Sequence, residues 1–193
     1  MRNAEFDREK VLRAAMKAFM HKGYAKTSMQ DLKKATGLHP GSIYCAFENK
    51  RGLLLAALEQ YRLDRKTEFE QFFANSTLVL VNLKSYLDNV VAECISCDSA
   101  QACLLTKALS EIADQDSEIQ RVISDNLSML QQALAEKFEQ AKVEKSISAD
   151  KDCHHLARYF LMGIYGLRTF AYTHPEAKVL EQLAEQLYHD VSQ

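Results

Sequence analysis

A chain of 193 residues with 47% hydrophobic content, six Gly and two Pro is long enough to bury a core and too apolar for disorder. Its opening, "MRNAEFDREK", lacks the basic-then-apolar order of a secretory signal, and no apolar run approaches the roughly 18 residues of a membrane span, so a cytosolic protein with no membrane partner is expected. The net charge of −2 is unevenly spread: residues 1–52 hold eleven Lys/Arg against five Asp/Glu, which leaves +6 there and −8 in the remainder, a basic head on an acidic body.

Three- and four-residue apolar spacing predicts helices along the whole chain and no strand. The first begins at Asp7 as N-cap, with Phe6 and Val11 placed as a hydrophobic staple, and runs through Leu12, Ala15, Met16, Phe19 and Met20 to Gly23. Thr27, with Gln30 three residues on, reads as the capping box of a second helix, which has Met29, Leu32 and Ala35 inward and stops at Gly37. A third starts at Pro40, where a missing N–H costs nothing; Ile43 and Phe47 point one way, and Ser42, Tyr44 and Cys45 the other. Asn49 caps a fourth, which continues through "LLLAALEQY" to "FEQFF" before "ANSTL" breaks it.

Further helices are expected near 82–97 and 102–112, and a long one is capped by Ser117 with Gln120. Its inward residues are Ile119, Ile123, Leu127, Leu130, Leu134, Phe138 and Ala141. One more spans 152–172, and Pro175 opens the last. The fold class is therefore all-α, with about nine helices.

Two short helices joined through Gly37-Leu38-His39 and packed on a preceding helix make a helix-turn-helix, whose second helix lies in the DNA major groove. Pro40 and Gly41 keep its tip slim. Base reading would rest on His39, Pro40, Gly41 and Ser42. Tyr44 and Lys50 reach phosphates, and Thr27 and Ser28 offer a helix N-terminus to another phosphate.

The string "GYAKTSMQDLKKATGLHPGSIYCAFENKRGLL" closely resembles the DNA-binding region of the TetR family of bacterial transcriptional regulators. Gly23, Tyr24, Thr27, Ser28, Gly37, Gly41, Ser42, Ile43, Tyr44, Phe47 and Lys50 fill the family's positions. Pro40 stands in a slot often held by Lys, and Arg51-Gly52 replaces the common acidic-aliphatic pair, which points to a looser first turn of the fourth helix. The resemblance is specific over residues 6–60. It implies a DNA-binding domain over 1–50 and a helical regulatory domain over 51–193. It further implies a homodimer on a palindromic operator of double-stranded DNA, commonly a repressor released by a small-molecule inducer. The last two helices would pair with their mates, and their apolar stripes supply Leu156, Phe160, Ile164, Leu167, Leu180, Leu183 and Leu187 for that interface.

The sensing residues are less determined. Phe69, Phe73, Tyr159, Met162 and Tyr165 are candidates to line an apolar pocket, with core packing as the alternative. "ACLLTKALSE" resembles a Gly/Ala-Cys-Leu segment of one branch of the family, in which a cysteine at the place of Cys103 answers reactive electrophiles. A thiol in a helix's first turn has a lowered pKa, and the alternative is that Cys103 is a small buried hydrophobe. No cofactor and no metal site is expected, since Cys94-x-x-Cys97 has no second CxxC to complete a zinc set. The competing function, a thiol redox protein using Cys94 and Cys97, normally needs a βαβ setting that this sequence lacks. No catalytic constellation is present, so the chain reads as a regulator rather than an enzyme.

Overall fold

Every regular element in the computed structural model is a helix, and residues 6–74, 78–96, 104–112, 115–173 and 175–193 are described by it. Nine α-helices are found among these residues: α1 (Arg8–Lys22), α2 (Met29–Thr36), α3 (Pro40–Phe47), α4 (Lys50–Phe72), α5 (Val79–Ile95), α6 (Leu104–Ile112), α7 (Ser117–Val143), α8 (Cys153–Phe170) and α9 (Ala177–Ser192).

Side-chain caps set most of the starts. Asp7 accepts from the Lys10 N–H at 3.1 Å, and Asp152 from those of His154 and His155 at 2.9 and 3.1 Å. Asn49 accepts from the Gly52 N–H at 2.9 Å. Two caps differ from the sequence reading by one residue. Ser28, not Thr27, caps α2, and its box partner is Asp31 rather than Gln30. Asp116, not Ser117, caps α7, accepting from the N–H groups of Glu118 and Ile119, each at 3.2 Å. At α7 the carboxylate accepts these donors more strongly than a serine hydroxyl would, because it carries charge towards the positive end of the helix dipole.

Helix α5 begins at Val79, earlier than the spacing suggests. Its first N–H donates at 3.0 Å to the Glu144 carboxylate, which supplies from the end of α7 the cap that Leu78 cannot provide. Pro175 precedes α9 but does not open it, since regular helix starts at Ala177.

The helices group into two compact units. One contains α1, α2, α3, α4 as far as Arg65, α6 and the part of α7 up to Asp125, so α6 clusters with the helix-turn-helix although it lies far from it in sequence. Its buried side chains include Leu12, Ala15 and Phe19 of α1, Leu32 of α2, Ile43 and Phe47 of α3, and Leu53, Leu54 and Leu58 of α4.

The other unit holds the end of α4, α5, most of α7, α8 and α9. Its core is built on Phe138 and Phe160, whose rings meet edge to face at 6.1 Å, with Leu83, Leu87, Leu134 and Ile164 around them. Gly163 of α8 is required by close packing: a Cβ there would lie 2.3 Å from a Leu187 methyl of α9.

Phe138→Ala should cost about 3–5 kcal/mol, the usual range for emptying a fully buried phenyl site. A fall in the urea midpoint at unchanged slope is the expected reading.

Candidate nucleic-acid interface

The turn between α2 and α3 is made by backbone that few residues accept. Gly37 takes the left-handed conformation (φ 72°, ψ −1°) and donates its N–H to the Lys33 carbonyl at 2.9 Å, ending α2. Leu38 N–H turns back to the Thr36 hydroxyl at 3.2 Å. His39 then caps α3, its ring Nδ1 accepting the Gly41 N–H at 3.3 Å, and Pro40 follows as the first helical residue. Ile43 and Phe47 are buried, whereas His39, Gly41, Tyr44 and Cys45 are exposed, Tyr44 at 50%. Ser42 is half-buried. The short helix therefore turns a polar, narrow-tipped face to solvent.

The N-terminus of α2 is built differently from the expectation. Thr27 is 1% exposed, and its hydroxyl donates to the Gly23 carbonyl at 2.5 Å, so it has no surface to offer a phosphate. Ser28 shares Asp31: its hydroxyl donates to the carboxylate at 2.7 Å and accepts the Asp31 N–H at 3.2 Å. The Asp31 carboxylate thus takes the Ser28 N–H and hydroxyl that a phosphate would otherwise draw on. Lys22 balances it at 2.6 Å, and the Lys22 ammonium together with the Ser28 donors holds the Asp31 carboxyl well below the usual carboxylate range. Lys50 is half-buried, its ammonium 4.4 Å from the centre of the Tyr24 ring and 3.4 Å from the Ala25 carbonyl, and burial pushes its pKa down.

Several ties that hold this head together have no local sequence signal. Lys107 of α6 donates to the Met20 carbonyl at 2.5 Å, placing a cation at the negative end of α1. Glu111 accepts the Ala25 N–H at 3.1 Å. Arg13 clamps Asp64 through Nε and Nη2 at 2.9 and 2.8 Å. Arg51, expected to loosen the start of α4, instead secures it: its guanidinium donates through Nη2 to Asp116 at 2.9 Å and to Glu118 at 2.6 Å, and through Nε to Asp116. Because Asp116 also caps α7, one carboxylate joins the first turns of two long helices.

Comparison with known proteins agrees with this geometry. The family described as "Bacterial regulatory proteins, tetR family" matches residues 11–57, which hold α2, α3 and their turn. "Tetracyclin repressor-like, C-terminal domain" matches residues 80–187. The HTH-type transcriptional repressor ComR of Escherichia coli (strain K12) is 30% identical over 182 residues, 93% of this chain and 86% of that protein.

The chain belongs to the TetR family. It is a DNA-binding transcriptional regulator rather than an enzyme. Solved TetR structures share the fold. One from Chloroflexus aurantiacus J-10-FL is 22% identical with a TM-score of 0.84, covering 96% of this chain and 94% of that one. A cysteine mutant of CifR complexed with 26-bp double-strand operator DNA is 23% identical with a TM-score of 0.85, covering 98% of each chain.

In the second unit of this TetR-family chain, the candidate sensing residues do not meet in one cavity. Phe69 is a core residue, its ring centre 4.7 Å from that of Phe73 at a tilt of 42° and edge-on to Tyr86 at 5.3 Å. Tyr165 packs half-buried against the core. Tyr159 and Met162 line a groove between α8 and α9 instead, where the Tyr159 hydroxyl donates to Asp190 at 2.7 Å. Cys97 and Cys103 lie outside the described residues. Cys94 is half-buried, and burial pushes its thiol pKa up, away from the reactive thiolate. Among the described residues no group of three His, Cys, Asp or Glu side chains is placed to hold a metal ion. None of the described helices is long and apolar enough to cross a membrane.

The residues expected at a subunit interface are mostly internal. Leu156, Phe160, Ile164, Leu167, Leu180 and Leu187 are buried in the core of their own chain, and Leu183 alone of that set is exposed, at 46%. Helix α8 is apolar on two sides, and Leu156, Phe160, Ile164 and Leu167 form the inward one. The outward side carries Met162 (63% exposed) and Phe170 (41%) with Gly163 and Gly166, and it lines the groove of about 320 Å³ with Leu183.

The Arg51 hydrogen bonds, and then the N–H groups of α7, hold the Asp116 carboxyl at about 2, below its ordinary value near 4. A carboxyl depressed in the folded state contributes stability that is complete above the unfolded value and is lost as pH falls through the folded one. Wild type should therefore lose melting temperature between pH 4 and pH 2 by more than Asp116→Asn does, with the melting curves of the two converging in acid.

Proposed function

We propose that this regulator is a repressor that binds a palindromic operator as a homodimer and leaves it when an effector reaches the regulatory helices. The carrying observation is the exposed tip of α3, where His39, Gly41 and Tyr44 face outward while Ile43 and Phe47 anchor the helix from behind. In a helix-turn-helix this is the face that enters the major groove. Residues 1–50 form the DNA-binding domain in this reading and 51–193 the regulatory one. Base reading falls to His39, Pro40, Gly41 and Ser42. Tyr44 and Lys50 contact phosphates, whereas Thr27 is buried and Ser28 is engaged with Asp31, so these two act by holding the start of α2 in place. ComR is itself named as a transcriptional repressor, and CifR has been solved on operator DNA, which supports the same role here.

The dimer in this reading forms through the outward side of α8 with α9: Tyr159, Met162, Gly166, Phe170 and Leu183 meet the same surface of a second copy. Three large apolar side chains exposed on one face favour burial against a partner. The effector is a small apolar molecule or a thiol-reactive electrophile. In support of the second, Cys103 immediately precedes α6 in sequence, and α6 holds the end of α1 through Lys107 and the turn after it through Glu111.

Selecting preferred sites from random duplex DNA, with and without prior treatment by a thiol-reactive electrophile, tests the whole reading. A palindrome that is recovered from untreated protein and lost on treatment, with Cys103→Ser resistant, supports a cysteine-sensing repressor. A palindrome that survives treatment directs the search to an apolar effector. No enriched sequence overturns the repressor.

Two sets of variants separate the parts. Lys50→Ala should weaken every duplex alike and lower the slope of log affinity against log salt by about 1, and Tyr44→Phe should also weaken binding without changing which sequence is preferred. Leu183→Glu should give a monomer by sedimentation, with operator affinity reduced on the order of a hundredfold or more as the second half-site contact is lost.

A further inference from the structure

The cap of α3 decides which atom of His39 can meet the DNA. Its Nδ1 lies 3.3 Å from the Gly41 backbone nitrogen, and that nitrogen is a donor. Nδ1 must therefore present a lone pair, so the neutral ring carries its hydrogen on Nε2. Among the described residues no protein group accepts from Nε2, and the side chain is exposed. The cap thus leaves one N–H donor, of fixed tautomer, on the residue immediately before the recognition helix.

The neighbouring residues offer little competition. Pro40 has neither a backbone N–H nor a polar side chain, Gly41 has no side chain and spends its N–H on His39, and Ser42 is half-buried with its backbone N–H bonded to the His39 carbonyl. Among residues 39–42 the imidazole is the longest polar side chain.

Resting on the regulator reading, we propose that His39 is a specificity residue of the DNA complex, donating from Nε2 to the N7 atom of one purine in each operator half-site. Purine N7 is an acceptor at the floor of the major groove in both adenine and guanine, whereas the exocyclic amines there are donors that a fixed N–H donor repels. A donor held at the N7 position therefore favours either purine there over cytosine, which presents only its amine, and over thymine, whose O4 acceptor lies nearer the middle of the groove. A capping side chain is unusually well suited to this role, because the hydrogen bond that starts the helix also fixes the ring, so little side-chain freedom remains to be lost on binding.

The experiment begins with the duplex selected by the full-length chain. Each purine of one half-site is replaced in turn by its 7-deaza analogue, which swaps N7 for C–H and leaves Watson–Crick pairing intact. Affinities are measured for wild type, His39→Ser and His39→Asn. Serine and asparagine are good N-caps, so α3 keeps its start while the imidazole donor is lost; an unchanged circular dichroism spectrum and melting temperature verify this. The expected result is one purine position where the analogue costs wild type about five- to tenfold, and where it costs both variants less than about twofold, on the same scale. Repeating the selection with His39→Ser should show purine preference relaxed at that position and retained elsewhere.

Wild type that binds a defined operator but is indifferent to every 7-deaza substitution would overturn the His39 contact and leave the regulator reading intact. So would variants as sensitive as wild type, since another group would then be reading N7. If wild type selects no duplex at all, the regulator reading fails and takes the contact with it.

Discussion

An eight-residue helix has almost no stability of its own in water, because nucleating the first turn costs more than so few hydrogen bonds return. Helix α3 exists because Ile43 and Phe47 are sunk into the apolar side of the head, with the Phe47 ring meeting Phe6 at 6.3 Å and lying beneath the Arg8 guanidinium at 4.8 Å. That burial fixes the rotation of α3 about its own axis. Everything the helix shows to DNA follows from it: with Ile43 and Phe47 inward, Gly41, Tyr44 and Cys45 have to face out. The left-handed Gly37 and the His39 cap set where the helix begins, and the two buried side chains set which way it looks.

The head is held as much by ends of helices as by their faces. Lys107 sits on the last carbonyls of α1, Glu111 on the Ala25 N–H just beyond it, and Asp31 on the N–H of Ser28, the cap of α2. Each places charge where a helix leaves backbone groups unsatisfied. One consequence is functional. With the Ser28 N–H and hydroxyl both spent on Asp31, that terminus has less to offer a phosphate, and the proposed DNA contacts lie on α3 and the residues around it. Arg51 works by the same logic, since it binds the carboxylate that caps α7 and so couples the start of α4 to the start of α7.

In the second unit, α8 has to satisfy two surfaces at once. Leu156, Phe160, Ile164 and Leu167 recur at helical spacing and fill the core, while Met162, Gly166 and Phe170 recur on the other side and remain uncovered. Gly163 lies between the two and permits α9 to approach closely through Leu187. A helix apolar on both sides carries more hydrophobic surface than its own fold consumes, which is the physical content of the dimer reading.

The all-helical class, the helix-turn-helix and its family were legible in the sequence, because they rest on local rules: apolar spacing, a left-handed glycine after α2, proline at the first position of α3, and a specific string from Gly23 to Lys50. The nine helices found among the described residues follow from the same rules, with the starts of α5 and α7 displaced where a carboxylate took the cap. Tertiary structure alone decided whatever depends on partners distant in sequence. It buried Thr27 against Gly23 and Ala18, turned Arg51 from a loosening residue into a tether through a carboxylate 65 positions away, and separated Phe69 and Phe73 from Tyr159 and Met162. It also decided which of two apolar stripes on α8 faces inward. Spacing records that a helix has an apolar side, but only the neighbouring helices determine which side is consumed by the core and which is left to meet another molecule.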